Sequence, residues 1–143
     1  MTGEKQTTDE TQIRQQIDGL VNAVRNKDLD RAMSFYSPDV VSFDLEPPLQ
    51  YLHTKRWKQT FAAFEGPLGY DIRDLSITTG NDVAFAHSLN HSRGTLKSGA
   101  RSDVWVRWTA CFRKLNGTWL IVHDHVSVPV APATGKAAMD LKP

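Results

Sequence analysis

The stretch that most constrains how this chain can fold lies near its C-terminus, at residues 118–129. Its sequence, Thr-Trp-Leu-Ile-Val-His-Asp-His-Val-Ser-Val-Pro, predicts one long β-strand, whose successive side chains point to opposite faces. One face would carry Trp119, Ile121, His123, His125 and Ser127. The other would carry Leu120, Val122, Asp124, Val126 and Val128. Neither face suits free solvent, so the pattern predicts a strand that is covered on both sides and forms the floor of a pocket.

Helical periodicity is confined to the first half of the chain. Residues 7–10 match a capping box, and apolar residues follow at helical spacing over 13–24. Asp28 can cap a second, short helix, and residues 54–64 predict a third. Between the second and third helices, residues 40–44 predict a short strand with Asp44 at its end.

From Gly69 onward the apolar pattern changes to period two. Strands are predicted over 70–79, 82–95, 101–115 and 118–130, with Asn116-Gly117 as a hairpin turn between the last two. Helices segregated from antiparallel strands define an α+β fold. Because strands of this length twist and curl, we expect three N-terminal helices packed on a strongly curved, mostly antiparallel sheet that encloses a conical cavity.

Size and charge limit the organisation and the partners. The 143 residues predict a single domain, 1–143, with polar tails at 1–8 and 131–143. A net charge of +1 leaves no electrostatic footprint for nucleic acid or for a membrane surface. The single cysteine, Cys111, excludes an internal disulfide, and no apolar run is long enough to span a bilayer. We therefore expect a cytoplasmic protein.

Segments spread over nearly the whole chain carry a resemblance to a known family. They are Asn26-Lys-Asp-Leu-Asp30, Phe35-Tyr36, Phe43-Asp44, Trp105-Val-Arg-Trp-Thr109, Phe112-Arg113, Asn116-Gly-Thr-Trp119 and His123-Asp-His-Val-Ser-Val-Pro129. The chain resembles the nuclear transport factor 2 superfamily, and within it the SnoaL-like and ketosteroid-isomerase-like proteins of bacteria. The resemblance covers about Asp9 to Pro143 and implies a cone-shaped α+β fold. This fold hosts isomerases, dehydratases, cyclases, hydrolases and association domains, so the function must be argued from the site.

Asp44 is the first candidate for chemistry. In ketosteroid isomerase the matching strand end carries the aspartate general base, so the resemblance implies a carboxylate that faces the cone. The alternative is a turn carboxylate that bonds nearby amides before Glu46-Pro47. The oxyanion partners of that isomerase correspond to positions near Leu20 and Cys111, and neither residue can stabilise an enolate. We therefore do not expect steroid isomerisation by that mechanism.

His123 and His125 form the second candidate group, with side chains roughly 7 Å apart on one strand face. They would serve as hydrogen-bonded pocket histidines, or as a proton donor or acceptor near neutral pH. A metal could join them only if a third ligand such as Asp44, His87 or His91 converged. We assign no metal and no organic cofactor.

Arg107 lies among tryptophans in a covered sheet and therefore needs an anionic partner. That partner could be Asp44 or Asp103, or a ligand carboxylate held by two parallel hydrogen bonds. The phase of strand 82–95 that faces the cavity is left open by the pattern. The remaining candidate substrate contacts are aromatic or amide side chains, namely Tyr36, Tyr51, Trp57, Trp105 and Asn90.

Two functions fit these residues. The first is a pocket for a small apolar carbonyl or carboxylate compound, with cofactor-independent isomerisation, dehydration or cyclisation by acid–base chemistry; whether the protein is catalytic is left open. The second is a non-catalytic homo-oligomeric module, like the association domain of calcium/calmodulin-dependent kinase II. Under either, the apolar face of residues 120–128 predicts a homodimer through the outer face of the sheet.

Overall fold

The protein is described here from a computed structural model, which covers residues 2–52 and 54–143. The helices are α1 (Thr2–Arg25), α2 (Leu29–Met33) and α3 (Thr54–Ala63). The strands are β1 (Tyr36–Phe43), β2 (Tyr51–Leu52), β3 (Phe64–Thr79), β4 (Val83–Leu96), β5 (Arg101–Leu115) and β6 (Thr118–Ser127). This order confirms the α+β prediction.

All strands join one open six-stranded sheet in the order β2-β1-β6-β5-β4-β3. Neighbouring strands run antiparallel except β1 and β6, which pair in parallel. The hairpin between β5 and β6 turns at Asn116 and Gly117 with φ angles of 52° and 82°, as its Asn-Gly sequence predicts. The parallel pairing brings the end of β1, and with it Asp44, beside the C-terminal half of β6.

The first helix begins earlier than the sequence indicates. It starts at Thr2, so residues 7–10 do not form a capping box and most of the predicted N-terminal tail is helical. The Thr7 hydroxyl donates to the carbonyl of Gly3, and Thr11 donates to the carbonyl of Thr7. A threonine that bonds one turn back in this way is compatible with a helix interior, and the sequence pattern cannot distinguish it from a cap. By contrast, Asp28 caps α2 as predicted, since its side chain accepts a hydrogen bond from the Arg31 amide.

The hydrophobic core lies between α1 and the helix-covered face of the sheet. The apolar stripe of α1 is buried, as its spacing predicts. It packs with side chains of β4, β5 and β6. The buried members on these four elements include Ile13, Ile17, Leu20, Val24, Ala86, Ala110, Phe112, Trp119 and Ile121.

A β-bulge in β6 decides which side chains reach this core. Phe112 of β5 pairs with Ile121, and the next residue of β5, Cys111, pairs with His123, so Val122 is an extra residue. An extra residue in a strand reverses the faces of everything that follows it. Inward-facing Trp119 and Ile121 are therefore followed by inward-facing Asp124 and Val126, because both of these lie opposite inward positions of β5. The strict alternation assumed from the sequence is wrong for the second half of this strand.

Candidate functional site

A cavity of about 400 Å³ lies between the helices and the sheet. That volume falls within the usual range for small-molecule sites, roughly 300–1,000 Å³. Its wall is mostly apolar and aromatic, with Leu20 and Trp57 on the helices and Val106 and Val126 on the sheet. The charged side chains on its wall, among the side chains that the structure describes, are Asp44, Glu46 and Arg56.

Asp124 anchors the polar end of this cavity from behind its wall. Its side chain is fully buried, with 0% exposure. It accepts hydrogen bonds from Arg56 Nη2 at 3.3 Å, Trp108 Nε1 at 3.2 Å and Tyr36 Oη at 3.5 Å, and from Ser42 Oγ. These donors come from α3, β5 and β1. A buried carboxylate is tolerated only when it is hydrogen-bonded in this way. Asp124 therefore connects β6 to these three elements.

Arg56 is the cation of the site. It is only 8% exposed, and its Nη2 also donates to Tyr36 Oη at 3.2 Å. Its guanidinium lies over the Trp57 ring, 4.6 Å from the centroid. Burial alone would lower the pKa of Arg56, but the nearby Asp124, with smaller contributions from Tyr36 and Asp44, raises that pKa above its usual value. The guanidinium therefore stays charged.

Asp44 is held differently from Asp124. Its Oδ2 lies 3.2 Å from Arg56 Nε, and its Oδ1 accepts a hydrogen bond of 2.6 Å from the Leu45 amide. The Arg56 Nε–H group has no aligned hydrogen-bond acceptor, so Asp44 and Arg56 attract each other by charge without a directed bond. With its side chain 16% exposed on the cavity wall, Asp44 keeps lone pairs available to a ligand.

A second polar group lies on β3 and β4. Asn90 is fully buried behind the cavity wall, and its Nδ2 donates to Tyr70 Oη at 2.8 Å, while Ser88 Oγ donates to Asn90 Oδ1 at 2.6 Å. Burial raises the pKa of Tyr70, although the Asn90 hydrogen bond acts in the opposite direction. Tyr70 lines the cavity and remains a neutral phenol whose own proton can be donated to a ligand. This arrangement shows that the phase of β4 with Ser88 and Asn90 faces inward.

Four of the side chains selected from the sequence lie on the cavity wall: Asp44, Tyr36, Tyr51 and Trp57. Tyr51 Oη donates to the carbonyl of Pro47 at 2.8 Å, which fixes the loop after β1. Trp57 Nε1 donates to Tyr36 Oη at 3.1 Å, so these two residues belong to the network around Arg56. Their catalytic and binding roles remain predictions.

Arg107 and Trp105 lie on the opposite, outer face of the sheet. Arg107 is exposed, and its Nε donates to Ser127 Oγ at 3.0 Å. Trp105 stacks on His91, with ring centroids 4.4 Å apart. The inward positions of β5 belong to Val106 and Trp108, which line the cavity. The prediction that Arg107 anchors a ligand in the cavity is therefore wrong.

The two histidines of β6 are also on the outer face, because they follow the bulge. His123 Nδ1 lies 2.6 Å from the carbonyl oxygen of Val41. Both imidazoles pack edge-on against Phe43, at centroid distances of 4.7 and 5.4 Å. In the part of the chain that the structure covers, no group of three or more potential ligands is arranged to hold a metal ion. The predicted placement of His123 and His125 on the cavity floor is wrong.

Arg56 and Asp124 were not selected from the sequence. Arg56 precedes Trp57 in a helix rich in basic residues, and a solvated face explains such a cluster equally well. Asp124 stood out only as the one acid on an apolar face. A carboxylate on such a face needs a buried partner, and this is the signal that could have indicated its role.

The cavity tyrosines give a prediction about alkaline pH. The chain has three tyrosines, and burial raises the pKa of Tyr36 and Tyr70 above the ordinary value of about 10. Because these tyrosines have a higher pKa in the folded than in the unfolded protein, they add to the free energy of unfolding. This contribution is fully present below the unfolded-state pKa and is lost as the pH rises through the folded-state pKa. At about pH 11, while the far-ultraviolet circular dichroism stays native, we expect absorbance at 295 nm to show fewer tyrosinates in the folded protein than in the same protein unfolded in urea. Equal numbers of tyrosinates in the two states would contradict this environment.

A family model described as a SnoaL-like domain matches residues 13–131. An NTF2-like protein of unknown function from Pseudomonas putida KT2440 is 32% identical and superposes with a TM-score of 0.86, over 96% of this chain and 98% of that chain. No curated protein matches the sequence.

More distant structures share the fold alone. A ketosteroid isomerase-like protein from Erwinia carotovora atroseptica is 18% identical, with a TM-score of 0.67 over 82% of this chain and 93% of that chain. The association domain of C. elegans CaMKII is 15% identical, with a TM-score of 0.70 over 87% of this chain and 99% of that chain. Within residues 2–52 and 54–143, none of the helices has the length and apolar character needed to cross a membrane.

Proposed function

This chain belongs to the SnoaL-like domain family, and on that basis we propose that it binds a small, mostly apolar molecule in its cavity and transfers a proton on it. The reaction class is isomerisation, dehydration or cyclisation of an apolar carbonyl compound by the protein's own acidic and phenolic side chains. The observation that carries this role is Asp44, a carboxylate on an apolar cavity wall that makes one backbone hydrogen bond and no aligned bond to Arg56.

Asp44 is the general base in this proposal. It takes a proton from the carbon next to the ligand carbonyl, with the Arg56 guanidinium 3.2 Å from its own oxygen. Tyr70 donates its hydroxyl proton in a hydrogen bond to the carbonyl oxygen, where negative charge develops. Asn90 supports this donation, because its Nδ2 donates a hydrogen bond to Tyr70 Oη. Linked hydrogen bonds polarise each other, so this bond makes the Tyr70 hydroxyl a stronger donor.

Proton exchange with solvent tests this role directly. The wild-type protein is incubated in D₂O with 2-decalone, 1-tetralone and 4-phenylcyclohexanone, and binding of each ketone is measured separately by calorimetry. We expect deuterium at the carbon next to the carbonyl, detected by mass spectrometry, at a rate above the protein-free control for at least one ketone that binds. If every ketone that binds exchanges only at the background rate, the catalytic role is wrong.

A second role, self-association through the outer face of the sheet, is favoured by the apolar side chains exposed there. Val83 and Phe85 of β4 are 50% and 47% exposed, and Phe43 and Trp105 lie on the same face. The composition predicted for this face was partly wrong, since Val126 lines the cavity. Apolar side chains of this size are rarely left open to water as a group, so we propose a homodimer that covers them.

A charge on that face tests the interface. We expect light scattering to report a dimer for the wild type, and Phe85→Asp to raise the dimer dissociation constant at least about tenfold, because it buries an unpaired carboxylate. Leu49→Asp is the matched control, since Leu49 is 97% exposed in the loop after β1. A wild-type monomer, or equal effects of both substitutions, would contradict the proposed interface.

A further inference from the structure

The charges around the cavity do not balance. The carboxylates of Asp44 and Glu46 line its wall, and that of Asp124 lies directly behind the wall. The one described cation at this place is Arg56. Lys27 does not line the cavity, and its Nζ donates to the carbonyl of Phe64 at 2.7 Å. Among the described side chains, this end of the cavity therefore has three carboxylates for one guanidinium.

The positive charge of Arg56 already lies between two carboxylates, those of Asp44 and Asp124. Its Nη2 lies 3.3 Å from Asp124 and 3.2 Å from Tyr36 Oη, and its Nε lies 3.2 Å from Asp44. A ligand carboxylate would meet Asp44 and Glu46 at the wall, where the one described guanidinium, that of Arg56, already lies beside Asp44 and Asp124. Like charges at close range repel, so this end of the cavity disfavours an anionic ligand.

The rest of the wall suits a cation with an apolar body. Aromatic rings attract cations over their faces, and Trp57 holds the Arg56 guanidinium in this way, 4.6 Å from its centroid. Tyr51, Tyr70 and Trp108 add aromatic surface to the same wall. Building on the ligand-binding role proposed above, we propose that the natural ligand is a small apolar carbonyl compound that also carries a protonated amine, held at this acidic end of the cavity against Glu46.

Three probes of the same shape and different charge test this assignment. Calorimetry at pH 7 on the wild type compares 4-phenylcyclohexylamine, 4-phenylcyclohexanone and 4-phenylcyclohexanecarboxylate. We expect the amine to bind at least tenfold more tightly than the carboxylate, and more tightly than the ketone. Equal or tighter binding of the carboxylate or the ketone would overturn the proposal, as would a failure of the amine to bind.

Glu46 provides a local test of the same idea. We expect Glu46→Gln to reduce the preference for the amine over the carboxylate severalfold. Glu10→Gln, the same chemical change on exposed α1, should leave that preference unchanged. Equal effects of both variants would overturn the assignment to this wall. The result is separable from catalysis, because the amine preference is a binding measurement and deuterium exchange into ketones is a rate.

Discussion

Replacing Asp44 with asparagine is expected to lower the rate of deuterium exchange into a bound ketone by a factor of about 10²–10⁴, the usual contribution of a positioned general base. Asparagine has nearly the same shape and can still accept the hydrogen bond from the Leu45 amide. It cannot take a proton from carbon. Asp44 is partly exposed, so the fold should be retained, and circular dichroism with ketone calorimetry would verify that folding and binding persist.

Three control variants separate this effect from a general loss of charge. Asp39→Asn makes the same chemical change on an exposed position of β1. Arg107→Gln and His125→Asn alter side chains on the outer face of the sheet. Each should keep the exchange rate within about twofold of the wild type. A twofold change is a small fraction of the roughly 1.4 kcal/mol of activation free energy that a tenfold change in rate represents. An Asp44→Asn variant as active as these controls would show that Asp44 is not the base.

Asp124→Asn is expected to lower the free energy of unfolding by about 3–5 kcal/mol, the cost of removing one partner of a buried ion pair. The substitution leaves Arg56 buried, 3.2 Å from Asp44 and without the charge of Asp124. It also weakens the hydrogen bonds that Trp108 and Ser42 donate to this position. Urea unfolding at pH 7 measures the loss.

The matched control for this change is Asp74→Asn. Asp74 has a side chain that is 68% exposed and a φ angle of 57°, which asparagine adopts readily. We expect its effect on the unfolding free energy to stay within about 0.5 kcal/mol. The double variant Arg56→Met, Asp124→Leu removes both charges and should be more stable than Asp124→Asn. A loss below about 1 kcal/mol for Asp124→Asn would show that the ion pair does not hold the site together.

The fold could be predicted because its signals are local. The stripe of α1 from Ile13 to Val24, the Asn116-Gly117 turn and the period-two strands each depend on residues close in sequence. The start of α1 was missed for the same reason, since Thr7 gives the same local pattern as a cap and as a helix interior.

The site was predicted only in part, because its contacts are long-range. Asp44 and Tyr51 flank the loop after β1 and could be placed beside the cavity from the order of the elements. Arg56 and Asp124 are 68 positions apart, and no periodicity links them. The histidines of β6 were assigned to the wrong face because alternation was counted through Val122, and a bulge of one residue leaves no clear mark in the sequence.

The bulge in β6 also bears on how relatives of this chain should be aligned. If Val122 were deleted, Ile121 and Asp124 would both keep their inward positions in a strand of regular alternation. A one-residue gap at that position is therefore compatible with an unchanged cavity floor. A gap placed two residues later in the same strand would remove the carboxylate itself. Homologues that differ in length in this strand should be aligned on the inward-facing acid that corresponds to Asp124. Counting residues from the Asn116-Gly117 turn would misalign them.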